Sequence, residues 1–196
     1  MSFNWSLIWD NLPLLLQGAV VTIQITIMSV GCGFLIGMIA SLANMSRFKP
    51  IRLLVKCYVE LFRGTPLLVQ IFMIYFALPM VIGHRIDPYV AAVTACSINS
   101  GAYVSEIFRA GIQSIDKGQM EAGRSLGMTR GLAMRRIIFP QALRRALPPL
   151  GNQFIIGLKD SSLAAFISLN ELFNVATTLG SNNFDEMNYL LIVAVY

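Results

Sequence analysis

An apolar stretch from about Leu12 to Ala43 does most to narrow the folds open to this chain. Roughly 20 helical residues cross the hydrocarbon core of a bilayer, so this stretch is long enough to span with residues to spare. It is too long for a signal peptide, and no basic segment precedes it. The expected arrangement is a short interfacial lead followed by a retained span over about residues 18–43. Inside it Ser29, Gly33, Gly37 and Ser41 recur at every fourth position. They share one helix face, where small side chains let another helix approach closely, as in ordinary bundle packing.

Four more apolar runs follow. The second covers about Leu67 to Ile82, starting either there or upstream of the Gly64-Thr65-Pro66 break. The third covers about Tyr89 to Phe108. The fourth runs from about Leu147 to Leu172 and is interrupted by Lys159-Asp160. The fifth opens near Tyr189 and reaches Tyr196 before it could cross, so the rest of that helix and a basic tail are expected beyond. Charged residues make up 13% of the chain, about half the ~25% of a soluble domain. The expected fold is all-α: a polytopic helical membrane bundle of about five transmembrane helices, read as a single domain over residues 1–196.

Basic residues set the orientation. Arg47, Lys49, Arg52, Lys56 and Arg63 lie between the first and second spans. Arg109, Lys117, Arg124, Arg130, Arg135, Arg136, Arg144 and Arg145 lie between the third and fourth, so these two connections hold thirteen of the fifteen Lys and Arg residues. The other connections are short and mostly acidic: Asp10, Arg85 with Asp87, then Glu171, Asp185 and Glu186. Positive charge stays in the cytoplasm, which places the N-terminus outside. Because the basic residues alternate with apolar spans and form no separate domain, nucleic acid is not an expected partner. Cys32, Cys57 and Cys96 have no metal-ligand spacing and read as small packing residues. His84, the single histidine, falls in a short external connection and reads as solvated.

The longest polar segment, residues 113–145, faces the cytoplasm on this count. A helix-compatible run from Gln119 to Leu126 ends at Gly127, a residue suited to a left-handed helix stop. Thr129 is placed to cap a second short helix, Arg130 to Ile138, and Pro140 to punctuate the return to the membrane. By composition alone this is a solvated basic loop beside anionic headgroups. Its particular residues say more. Glu121-Ala122-Gly123, three residues, Gly127, nine residues, then Ile137-Ile138-Phe139-Pro140 resembles the signature of the permease subunits of bacterial ABC importers. Gly123 stands where Ala is frequent and Phe139 where Leu is usual; both keep the residue class.

The resemblance covers nearly the whole chain. Glu60-Leu61-Phe62-Arg63-Gly64-Thr65-Pro66-Leu67-Leu68-Val69-Gln70 and Gly101 to Ile112 are similar to the polar amino-acid branch of that family. Phe3-Asn4-Trp5-Ser6, Tyr75 to Met80, Arg85-Ile86-Asp87-Pro88, Ile98 to Tyr103 and Leu147 to Gln153 resemble glutamine permeases in particular. The resemblance implies a type I importer permease fold. It implies docking of residues Glu121, Ala122, Gly123, Arg124, Gly127 and Met128 on an ATP-binding subunit. Small residues at 122 and 123 would admit the partner surface, Gly127 would allow a sharp turn, and Glu121 would pair with a basic group or accept backbone bonds. The implied partners are two ATP-binding subunits, a second permease copy or close homologue, an external solute-binding protein, a polar amino acid and membrane lipid. ATP and Mg would be bound by the partner. ATP binding there would shift the loop and open the bundle outward, and hydrolysis would reset it.

Ionisable residues inside spans are the candidates for a substrate path. Asp160, near the middle of the fourth run, offers a carboxylate to an amino acid's ammonium, with the hydroxyls of Ser161 and Ser162 beside it. A structural Lys159–Asp160 knot fits the same residues. Asn99, Tyr103 and Glu106 share a helix face, either lining a path or serving a Glu106–Arg109 pair at the inner interface. Arg63-Gly64-Thr65-Pro66 and Pro148-Pro149 each read as a hinge or as plain punctuation. The chain holds no Walker A sequence and no nucleophile–base or metal constellation, so it is expected to be a transport subunit and not an enzyme. A stand-alone channel or secondary transporter is the competing class, although no internal repeat is found. A membrane scaffold without transport is a third reading.

Overall fold

The computed structural model describes residues 5–46, 48–183 and 185–195. Phe3, Asn4, Arg47 and Tyr196 therefore lie outside the described residues. Ten α-helices appear among them and no strand: α1 Trp5–Asn44, α2 Lys49–Gly64, α3 Leu67–Phe72, α4 Leu78–Ile82, α5 Pro88–Gln113, α6 Lys117–Ser125, α7 Arg130–Ala133, α8 Phe139–Asp160, α9 Leu172–Asn182 and α10 Glu186–Val195. The all-α class expected from the sequence is the one observed. Among the described residues, the stretch Ile8–Asn44 alone is long and apolar enough to cross a bilayer as one helix. Lys49–Gly64 with Leu67–Ile82, and Arg130–Ile167 with Leu172–Asn182, qualify only as broken pairs. α5 has the length, but Asn99, Ser100, Ser105 and Glu106 lower its apolar average.

The residues divide into two compact units. One comprises 1–29, 66–96 and 157–196; the other comprises 30–65 and 97–156.

In the first unit Ile25, Ile71, Ala91, Ala92, Ala95, Ala164 and Ile167 form the main core. Leu15, Leu172, Ala176 and Tyr189 form a second cluster. Tyr189 is fully buried, and its hydroxyl accepts from the Asn11 and Asn183 side-chain amides at 3.0 and 3.1 Å. The hydroxyls of Thr22 and Thr26 donate to carbonyls one turn earlier, so polar residues sit in an apolar helix without an unmet donor. The fourth apolar run changes form at its Lys159-Asp160 interruption and breaks again before Leu172. α8 passes into a 3-10 segment, Ser161–Ile167, and the chain turns at Ser168 with φ of 60°. Glu171 then caps α9, accepting from the N–H groups of Phe173 at 2.9 Å and Asn174 at 2.7 Å. It is a buried cap and not the solvated acidic residue of a connection.

In the second unit the small-residue face of α1 meets α5. A Cβ added at Gly33 would lie 2.7 Å from the Ser100 Cβ, and one at Gly37 2.6 Å from the Val104 Cβ. Only hydrogen at these positions allows that approach, which is the bundle packing the spacing predicts. Val104, Phe108 and Ala146 form the adjoining core, with Phe34 edge-on to Phe108 at 5.6 Å between ring centroids.

Two expectations need correction, and one connection takes a form the sequence left open. The connection carrying Lys49 to Arg63 is itself a helix, α2. The interfacial lead is not separate, since α1 is continuous from Trp5 through Pro13. Pro140 does not end a helix either. Met134–Ile138 forms a π turn that runs directly into α8, with the Phe139 N–H bonding back to the Met134 carbonyl. The wider turn relieves the clash between a proline ring and the carbonyl four residues earlier, so the helix continues through Pro140. Met73–Ala77 does the same ahead of Pro79. Pro148 and Pro149 likewise lie inside α8. Among the cysteines read as packing residues, Cys96 is buried while Cys32 and Cys57 are exposed.

Candidate functional site

The segment 113–140 folds as a helix–turn–helix. Asp116 caps α6 by accepting from the Gly118 N–H at 2.7 Å. At the far end the Gly127 N–H donates to the Arg124 carbonyl at 3.0 Å and the Met128 N–H to the Gly123 carbonyl at 3.1 Å. With Gly127 at φ of 81° this is a Schellman stop. Thr129 then caps α7, accepting from the Leu132 N–H at 3.3 Å. Both the glycine stop and the threonine cap fall where the sequence puts them.

The motif has a small core of its own. Ile115, Ile138 and Ala142 are buried with Ile112, Met120, Met134 and Ile137 against them. Arg145 donates to the Ser114 carbonyl, which ties α8 to the end of α5. Gly123 belongs to this interior. A Cβ there would sit 2.9 Å from the Ile137 Cδ1 and 3.2 Å from the Ala133 Cβ. Its smallness therefore admits α7 and the segment after it, a different use from the open surface expected of it. Met128 is half-buried beside it. Glu121, Ala122, Arg124 and Gly127 face outward, and Leu126 stands at the tip 83% exposed. Leu126 was missed in the sequence. An apolar residue between a helix and its glycine stop is the signal that could have found it.

Asn99, Tyr103 and Glu106 are brought together with the end of α2. Asn99 donates its amide to the Phe62 carbonyl at 3.1 Å, and the Tyr58 hydroxyl donates to the Ile98 carbonyl at 2.6 Å. The Arg63 guanidinium lies 5.3 Å from the centre of the Tyr103 ring and 3.9 Å from Glu106 Oε1. Arg109 forks onto Glu106 through Nε at 2.8 Å and through Nη2, and gives Nη1 to Gln113 at 2.9 Å. The hydrogen bond with Glu106 holds the Arg109 pKa above its ordinary value. The polar stripe thus closes onto α2, with the Glu106–Arg109 pair at its lower end.

Asp160 lies in the other unit. It is half-buried, and among the described residues no hydrogen bond or ion pair reaches its carboxylate; in particular, none joins it to Lys159. Ser161 and Ser162 do not turn their donors toward it. Their hydroxyls donate to the carbonyls of Leu158 and Lys159, each at 2.7 Å, which leaves only their lone pairs for another group.

These features belong to a recognisable class: an α-helical membrane protein that carries a locally packed helix–turn–helix with an exposed tip. Residues 33–196 match the family described as binding-protein-dependent transport system inner membrane components, and the chain belongs to that family. It is 44% identical over 197 aligned positions to the glutamine transport system permease protein GlnP of Escherichia coli K12, covering all of this chain and 90% of that protein. It is also 44% identical to the L-cystine transport system permease protein TcyB of Bacillus subtilis, covering 98% of this chain and 82% of the other. A crystal structure of an amino acid ABC transporter with histidines superposes with a TM-score of 0.94 at 42% identity, covering all of this chain and 91% of that one. The chain is thus a permease subunit of an amino-acid ABC transporter, with the type I importer permease fold. Hydrolysis of ATP belongs to a separate subunit in such importers. Membership sets aside the stand-alone channel and the scaffold.

Proposed function

We propose that this chain forms the membrane path of a glutamine importer, with its N-terminus outside and residues 113–145 in the cytoplasm. The observation that carries the coupling half of this reading is the helix–turn–helix, with Leu126 at its tip and Glu121, Ala122 and Arg124 exposed around it. Such a preformed, locally packed projection suits a cleft on an ATP-binding subunit, where Gly127 and Met128 set its angle and Gly123 its compactness. Two ATP-binding subunits carrying ATP and Mg, a second permease copy or close homologue, and a solute-binding protein complete the assembly. Asp160 is the residue we assign to the substrate's ammonium, supported by its unbonded carboxylate, with Ser161 and Ser162 as nearby acceptors. Asn99, Tyr103 and Glu106 take a supporting place, holding the α2–α5 seam within their own unit.

Equal identity to glutamine and cystine permeases favours keeping cystine as a second reading. Glutamate and basic amino acids share the ammonium that Asp160 would meet. The test is uptake of labelled glutamine by the complete importer in proteoliposomes, competed by cystine, glutamate and arginine. ATP-dependent uptake displaced best by unlabelled glutamine is expected; stronger displacement by another of the three would reassign the substrate. Asp160→Ala is expected to weaken substrate-stimulated transport, whereas unchanged substrate dependence would make Asp160 structural. For sidedness, Ser125→Cys in a background without Cys32 and Cys57 should resist an impermeant thiol reagent added outside.

A further inference from the structure

α2 divides lengthwise into three stripes. Val55, Tyr58, Val59 and Phe62 are half-buried, and Tyr58 and Phe62 bond with α5. Leu53, Leu54, Cys57 and Leu61 form a second stripe that is exposed, Leu54 by 71%. The third stripe is charged: Lys49, Arg52, Lys56 and Glu60, with Arg63 drawn off to Glu106 and Tyr103. Lys56 lies 3.6 Å from Glu60, but both are well exposed, and such a pair is too weak to withhold the lysine from another anion. An open groove of about 500 Å³ runs along this stripe, lined by Asn44, Lys49, Pro50, Arg52, Leu53 and Lys56. Asn44 is the last residue of α1, so the groove opens at the end of the helix that is long enough to cross a bilayer.

We infer that α2 is an interfacial helix whose Lys49, Arg52 and Lys56 bind the phosphate of an anionic phospholipid while its leucine stripe enters the acyl layer. The groove joins both chemistries in one place. Basic side chains line one wall, and Leu53 and Pro50 supply an apolar floor that a headgroup's glycerol and upper chains can lie on. A helix with separate apolar and basic faces lies in the interface plane and gains from negative lipid. A soluble anion would satisfy the lysines but leave four apolar side chains in water, so the lipid is the occupant that accounts for both stripes. The inference rests on the orientation proposed above, in which an N-terminus outside and a spanning α1 put residues 44–66 on the cytoplasmic side.

Cys57 sits in the leucine stripe and provides the probe. The complete importer, with Cys32→Ala and Cys96→Ala, is labelled at Cys57 with an environment-sensitive fluorophore. It is then reconstituted with brominated phosphatidylglycerol or brominated phosphatidylcholine at equal mole fraction. Quenching by the anionic lipid is expected to exceed that by the neutral one by at least about twofold. Lys49→Gln, Arg52→Gln and Lys56→Gln together should remove that preference while leaving quenching by the neutral lipid in place. Quenching by neither lipid would overturn the inference, because the stripe would then be covered by protein, such as a second permease copy. Equal quenching by both, unchanged in the triple variant, would overturn the headgroup site. A wrong sidedness shows itself separately, as external labelling of Ser125→Cys.

Discussion

Two basic segments of this chain, residues 44–66 and 113–145, look alike in charge and are built on opposite plans. The later one wraps its apolar side chains inside: Ile115, Ile138 and Ala142 are buried, and little but Leu126 is left out at the tip. In the earlier one α2 buries no residue completely and leaves a whole leucine stripe uncovered. A segment with its own core keeps its shape and can be read by a complementary protein cleft. A segment without one borrows its shape from α5 and offers a long, chemically simple face, which suits a fluid surface.

The strongest way to break this contrast is at Gly127. Valine there adds a branched side chain at φ of 81°, a strain of about 1–2 kcal/mol that would re-aim the turn. Coupled amino-acid uptake should fall on the order of tenfold while ATP hydrolysis continues. Normal uptake per ATP would mean that the shape of the turn is unimportant. Next in size, the two exposed leucines can be set against each other. Leu126→Glu should impair copurification of the ATP-binding subunits, whereas Leu54→Glu should leave it intact and instead lower quenching by lipid at Cys57. If both variants lose the ATP-binding subunits, the two segments are not distinct in role.

A smaller effect sharpens the account of how α2 is held. Asn99→Ala removes the amide that meets the Phe62 carbonyl and should cost about 1 kcal/mol, read as a lowered melting temperature in detergent. The smallest effect belongs to Gly123→Ala. The new Cβ would press on the mobile end of Ile137, while helix propensity rises by about 1 kcal/mol, so stability and coupling should stay within error. A large loss there would show that position 123 must admit something besides its own motif.

What could be read in advance depended on whether a local residue type announced the feature. The turn was legible because Gly127 and Thr129 each do one job that few residues do as well. The α1–α5 contact was legible because small residues recur every fourth position from Ser29 to Ser41. The break after Ile167 was not, since Ser168, and not glycine, adopts the left-handed conformation and α9 begins inside an apolar run. α2 was hidden for a different reason. Its charges at 49, 52, 56, 60 and 63 have helical spacing, but a stripe this charged fits a polar connection between spans as well as an amphipathic helix. Asp160 was visible as a charge among apolar residues, although the backbone bonds that occupy Ser161 and Ser162 could not be anticipated from sequence.

The π turns ahead of Pro79 and Pro140 carry a consequence for anyone drawing helical wheels. Each adds about one residue to a turn, a phase slip on the order of 100°. A wheel started at Arg130 and carried without a pause through α8 would assign Ala142, Ala146 and Gln153 to the wrong side, although these are the residues that face inward. The angular count has to restart at Phe139. A single-residue deletion between 134 and 138 would therefore act less as a shortening than as a rotation of everything downstream.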